Sequence, residues 1–134
     1  VAVEYAILLP ALLLFVLGIM ESGRLFWTYS TLYRATEAAA RCGAVGTPAY
    51  GAFVGCDTPA LVESYAATQA YGLNLSPSIF TVSSNAATCV IAGIYGYQVT
   101  ASLPFTLVIP FLNVGTQSGS LNILTLTPSA CYPR

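Results

Sequence analysis

There is no lysine and no histidine in these 134 residues, and only 7% are charged, for a formal net charge of −1. A surface that neutralises nucleic-acid phosphates needs clustered Lys and Arg, so nucleic acid is set aside as a partner. The same shortage removes most catalytic chemistry. With Asp57 and Glu63 the only acids beyond the first forty-odd residues, neither a nucleophile–base pair nor a paired-carboxylate site can be assembled. An enzyme is not expected, and no cofactor is implied. Four cysteines stand at 42, 56, 89 and 131. They lack the short paired spacings of a zinc site, so no metal is expected either.

What is present is apolar. The chain is 56% hydrophobic with a mean hydropathy of +0.73, outside the usual mix of a soluble domain. From Ala6 to Met20 there is no charge, and with its flanks this run is long enough to cross a hydrocarbon layer of about 30 Å as a helix. No basic leading region or small-residue cleavage site surrounds it, unlike a removable signal peptide, and it reads as the front of a mature product already cut. Glu4 sits at its front edge, where a carboxylate entering an apolar core needs a cation or donors; the newly exposed α-amine of a Val1 is the cation nearby. The milder alternative is that an acid in the first turn gains from the helix dipole and reaches the headgroups.

Helical periodicity continues past the run. Leu25, Phe26, Tyr29, Leu32, Tyr33, Thr36 and Ala40 recur at three-and-four spacing as one apolar stripe, with Trp27, Tyr29 and Tyr33 expected to pack at a helix–head junction. Arg24, Arg34, Glu37 and Arg41 solvate the opposite side, and Glu21 with Arg24 reads as the solvated end of a membrane span. Gly43 is the expected stop. Pro10 removes a helical hydrogen bond, which predicts a kink or a short unwound segment near Ala6 to Pro10. Ala6, Ala11 and Gly18 permit close helix approach, or merely relieve sterics. The simplest division is residues 1–42 as a membrane or filament-core helix and 43–134 as a globular head.

In the head, residues 43–57 are Gly-rich and read as a loop. Thr58 as N-cap and Pro59 at the first helical position open a short helix with Leu61, Val62, Tyr65, Ala66 and Ala70 on its apolar face and Gly72 at its end. Beyond Pro77 the period becomes two, predicting strands at Ile79 to Ser83, Thr88 to Ala92, Tyr97 to Leu103 and Ser120 to Thr127. Turns are expected at Ser83 to Ala87 and Asn113 to Gly119, and a bulge near Ile123. Phe105 to Leu112 is either a packing edge against another subunit or a buried crossover. The fold class is α+β: a long hydrophobic helix, then a short helix packed on a small, mostly antiparallel sheet. An even cysteine count in such a head predicts two disulfides in an oxidising compartment. Connectivity is open from sequence, but Cys42 with Cys56 and Cys89 with Cys131 closes local elements.

The stretch AVEYAILLPALLLFVLGIMESGRLFWTY, residues 2–29, resembles the N-terminal signature of TadE-like proteins. These are pseudopilins of tight-adherence (Flp-type) pili, with a pattern close to AVEFALVLPLLLLLLLGIIEFGR before a long amphipathic helix. RATEAAARCGAV, residues 34–45, is similar to the family's NAAREAARYGAV. The resemblance implies a pilin-like subunit cut by a prepilin peptidase and assembled with copies of itself by pilus machinery into an extracellular filament. Before assembly it is held in the cytoplasmic membrane. It also implies that Val1, Glu4, Tyr5 and Pro10 serve assembly, Glu4 meeting the N-terminal amine of a neighbour; Glu4 is fourth here, where pilin-like subunits carry the acid fifth. Most such family members are minor components, so a minor pseudopilin that initiates or caps a pilus is one alternative. A single-span anchored binding or adhesion module is another.

Overall fold

The computed structural model describes residues 2–46, 55–91, 93–108 and 123–133. Helix α1 runs Ala2–Val45 and α2 Pro59–Gln69; a 3-10 turn, Pro77–Ile79, leads into β1 (Phe80–Ile91), β2 (Ile94–Ala101), β3 (Leu103–Thr106), β4 (Ile123–Leu126) and β5 (Ser129–Pro133). The α+β class stands. Two compact units are made, one of Val1–Trp27 with Pro104–Thr125, the other of Thr28–Leu103 with Leu126–Arg134.

α1 stays helical through Pro10, so of the kink or unwound segment expected there the unwinding does not form; the missing Pro10 N–H costs one backbone bond. The stop is also displaced. Gly43 is inside the helix, which ends at Val45; Gly46 follows as the cap, with φ +72 and its N–H donated to the Cys42 carbonyl. That left-handed cap is what glycine allows without a Cβ clash. Gly43 serves packing instead, since a Cβ there would overlap the Tyr97 ring.

In the second unit, β2 is central in a three-stranded sheet ordered β1-β2-β5, with both pairings antiparallel. Tyr97, Val99 and Ala101 are buried on one face, as the alternation predicts, and α2 lies against β1 with Val62 and Ala66 buried. Thr58 takes the N-cap position, although its hydroxyl makes no capping bond, and Pro59 opens the helix; Gly72, with φ +81, follows its end.

Two strand expectations need correction. β1 is continuous where a turn was expected at Ser83 to Ala87, and takes up the extra residues as register shifts between Ser83 and Ala86 and between Ala86 and Val90. The chain reverses after Ile91 instead, with Gly93 at φ +81. The strand expected from Tyr97 to Leu103 divides at Ser102, whose N–H bonds the Ile79 carbonyl. β3 and β4 form a separate two-stranded sheet. Residues 47–54 of the Gly-rich loop, 109–122, and with them the Asn113 to Gly119 loop, lie outside the described residues, and the bulge expected near Ile123 falls at their edge. β5 has no counterpart in the sequence reading.

The register shifts have a physical cause in the cross-link. Strands two apart in a flat sheet stand about 9.5 Å from each other, yet the Cα atoms of Cys89 in β1 and Cys131 in β5 are 5.6 Å apart and joined by a disulfide. β1 therefore bends over β2 where its pairing slips. Gly96 makes room for the crossing: a Cβ there would stand 2.8 Å from the Tyr132 carbonyl oxygen and 2.9 Å from that of Cys89. The other disulfide, Cys42 to Cys56, ties the last turn of α1 to the segment before α2.

Candidate membrane and assembly surface

The first half of α1 presents bulky apolar side chains on every side. Over the stretch apolar enough to cross a membrane, mean hydropathy reaches 2.1 and only 6% is buried. A core helix of a soluble fold would be mostly buried, and this one is not. Leu8, Leu12, Phe15 and Ile19 are all exposed, and their four-three-four spacing sets them on one face.

The same spacing continues through Ser22, Phe26, Tyr29 and Tyr33, and these too are exposed. The single apolar stripe expected over Leu25 to Ala40 is therefore two faces. Leu32, Ala35, Thr36, Ala39, Ala40 and Gly43 form the buried one, and the Thr36 hydroxyl is satisfied by the Tyr33 carbonyl at 2.7 Å. Trp27, Tyr29 and Tyr33 do not pack into a core: Trp27 is 66% exposed and both tyrosines 44%. Adjacent residues such as Leu32 and Tyr33 point about 100° apart, so a run apolar at both positions serves two surfaces.

In the first unit a polar cluster sits where the apolar run ends. Glu21, expected at a solvated edge, is 5% exposed. One carboxylate oxygen pairs with Arg24 Nη1 at 3.2 Å, and the other accepts the Val108 backbone N–H at 3.3 Å. The Arg24 guanidinium lies over the Phe105 ring, 5.2 Å from its centroid, within cation–π range. Burial of a carboxylate is tolerable because it has a cation and a donor. Phe105 is buried and Val108 is 70% exposed; the rest of the Phe105 to Leu112 stretch lies outside the described residues.

The residues proposed for assembly are placed as follows. Val1 lies outside the described residues; Glu4 is in the first turn of α1, with its backbone helical. Tyr5, Ala6, Pro10 and Ala11 are exposed and Gly18 is half-buried, with open space where a Cβ would stand. Seven-residue spacing puts positions 4, 11 and 18 on one helix face and sets 6 and 10 on another. No described contact brings them together. Sequence reading missed the engagement of Glu21 with Val108, 87 residues away; the signal available was the Glu21–Arg24 spacing alone.

Among the described residues no group of three or more His, Cys, Asp or Glu is placed to hold a metal. A cleft of about 380 Å³ in the second unit is lined by Gly43, Gly46, Cys56, Asp57 and Tyr97 among others. Asp57 is its one carboxylate, which offers no acid–base pair.

Residues 1–41 match the family model described as TadE-like protein. No curated protein matches the chain, and no solved structure does. TadE-like proteins are structural and pilus-associated rather than enzymatic, and the match with the apolar helix supports a membrane-anchored, pilus-associated protein at the level of the family. The similarity to TadE-like proteins thus covers the first 41 residues, which include the exposed apolar run of α1.

Proposed function

We propose that this protein is a structural subunit of an extracellular pilin-like filament, with residues 1–42 as membrane span and then filament core, and 43–134 as the outward head. The carrying observation is the exposed apolar face of α1 that runs on to Tyr33. From Ala2 to Tyr33 the helix rises about 48 Å, more than the roughly 30 Å that lipid covers. Tyr29 and Tyr33 therefore need a protein partner, and a second copy offers the same face in the same register. Exchange of lipid for helix contact costs little, because both are comparably apolar. A prepilin peptidase and pilus machinery act before and during this exchange. In the assembled state the Glu4 carboxylate meets the Val1 amine of a neighbour.

Electron microscopy of filaments sheared from the producing cells, with mass spectrometry of the subunits, tests the reading. Fibres built mainly of this chain and lost in Glu4→Ala support it. Fibres that carry it only in trace make it a minor pseudopilin that initiates or caps the pilus. A chain that stays in the membrane fraction and keeps its behaviour in Glu4→Ala is a single-span anchored module, and the filament reading is then wrong.

A further inference from the structure

The face of α1 turned away from the exposed seam carries Glu21, Arg24 and Trp27 at three-residue steps, where the apolar run ends. At 1.5 Å per residue, the twenty residues from Ala2 to Glu21 rise about 30 Å, the thickness of the hydrocarbon layer. Arg24 and Trp27 then stand about 4.5 and 9 Å beyond it, at headgroup depth. Helical side chains lean toward the N-terminus, so Trp27 leans back toward the bilayer. The end of β3 is fixed at the same level, with Val108 N–H on Glu21 and Phe105 under Arg24.

We propose that Trp27, Arg24 and Val108 form a seat on the phospholipid headgroup layer, a second point of membrane contact beside the spanning helix. Three observations converge on lipid as the occupant. The patch adjoins the end of the apolar run, since Glu21 follows Met20 directly and holds Val108. Trp27 and Val108 are large, apolar and exposed, at 66% and 70%, and tryptophan favours the membrane interface. The Val108 N–H is satisfied within the protein by the buried Glu21 carboxylate, so docking this edge on the headgroup layer leaves no backbone donor unpaired. Glu21 and Arg24 neutralise each other, so the seat suits zwitterionic phosphatidylcholine and needs no anionic lipid. The seam through Phe26, Tyr29 and Tyr33 stays free for a second copy.

The proposal rests on the reading of α1 as a membrane span, and one experiment separates the two. Trp27 is the single tryptophan. The full chain is reconstituted into phosphatidylcholine vesicles, floated on a density gradient, and its emission quenched by lipids brominated high on the acyl chain or near the methyl end. A Trp27→Phe, Val108→Trp double variant reports from the strand end. The expected result is flotation with several-fold stronger quenching by the shallow probe at both positions, unchanged when phosphatidylglycerol is added. Glu21→Ala in the double variant is expected to weaken the signal from position 108, while Glu21→Ala alone leaves that from Trp27. Flotation with position 108 open to aqueous iodide and unquenched by either lipid overturns the seat and leaves the span standing. Failure to float overturns both.

Discussion

Two stretches of one helix, Ala6–Met20 and Leu32–Gly43, are both nearly free of water-seeking groups on at least one side, and their fates are opposite. The first is exposed almost throughout, whereas the second buries Leu32, Ala35, Thr36, Ala39, Ala40 and Gly43. Side-chain size separates them. Leu, Ile and Phe dominate the first and leave no flat side on which a strand can approach, a surface suited to lipid or to interdigitation with another such helix. Ala, Thr and Gly dominate the second and let the backbone come close enough for Gly43 to meet the Tyr97 ring. Hydropathy states that each stretch avoids water; volume decides what covers it.

The strongest way to break this comparison is to loosen the unit on which the second stretch depends. Replacing Cys89 and Cys131 by serine opens a loop with a sequence separation of 42, and chain entropy then costs about 4 kcal/mol. The corresponding change at Cys42 and Cys56, with a separation of 14, costs about 3 kcal/mol. Denaturant unfolding in detergent, followed by tyrosine near-ultraviolet dichroism for the head and by tryptophan emission for α1 near Trp27, is expected to show early loss of the first signal alone. Simultaneous loss of both would mean that the apolar stretch also depends on the head.

Paired substitutions sharpen it. Leu32→Ala removes a fully buried side chain and is expected to cost about 3 kcal/mol, against no measurable change for the exposed Leu12→Ala in the same detergent melt. Gly43→Ala forces a methyl group into Tyr97 and is expected to cost about 2 kcal/mol by overpacking. Gly18→Ala meets nothing and is expected to raise helix stability by about 0.5–1 kcal/mol. Equal effects within either pair would remove the distinction between the stretches.

Much of this was readable in advance, and the misreadings share a cause. Thr58 and Pro59 announce α2 by local chemistry, and Tyr97, Val99 and Ala101 announce the buried face of β2 by alternation; both signals lie within a few residues. Gly43 and Gly46 carry the same local signal, and only the distant Tyr97 makes the first a packing residue and leaves the cap to the second. Ser83 to Ala87 has turn-like composition, but β2 pairs with it and the Cys89 cross-link bends it, so a bulged strand replaces the turn. β5 is only five residues long, follows Pro128 and ends on Pro133, and exists through its pairing with β2. At the candidate surface, the apolar length of α1 was legible, whereas the split into an exposed and a buried face needed the head in place.

Glu21 tests the boundary between the two stretches, and it carries the smallest of the expected losses of stability. Glutamine in its place keeps the length and one carbonyl acceptor but removes the charge from both the Arg24 pair and the Val108 N–H bond. Arg24 is half exposed, so water takes over much of what the pair supplied, and the expected loss is about 1 kcal/mol. Amide hydrogen exchange locates it: faster exchange at Val108 and along β3, with protection in β2 unchanged, fits a local tie at the end of the apolar run. Accelerated exchange in β2 as well would mean that Glu21 supports the whole head, and the boundary drawn between the two halves of α1 would move toward its N-terminus.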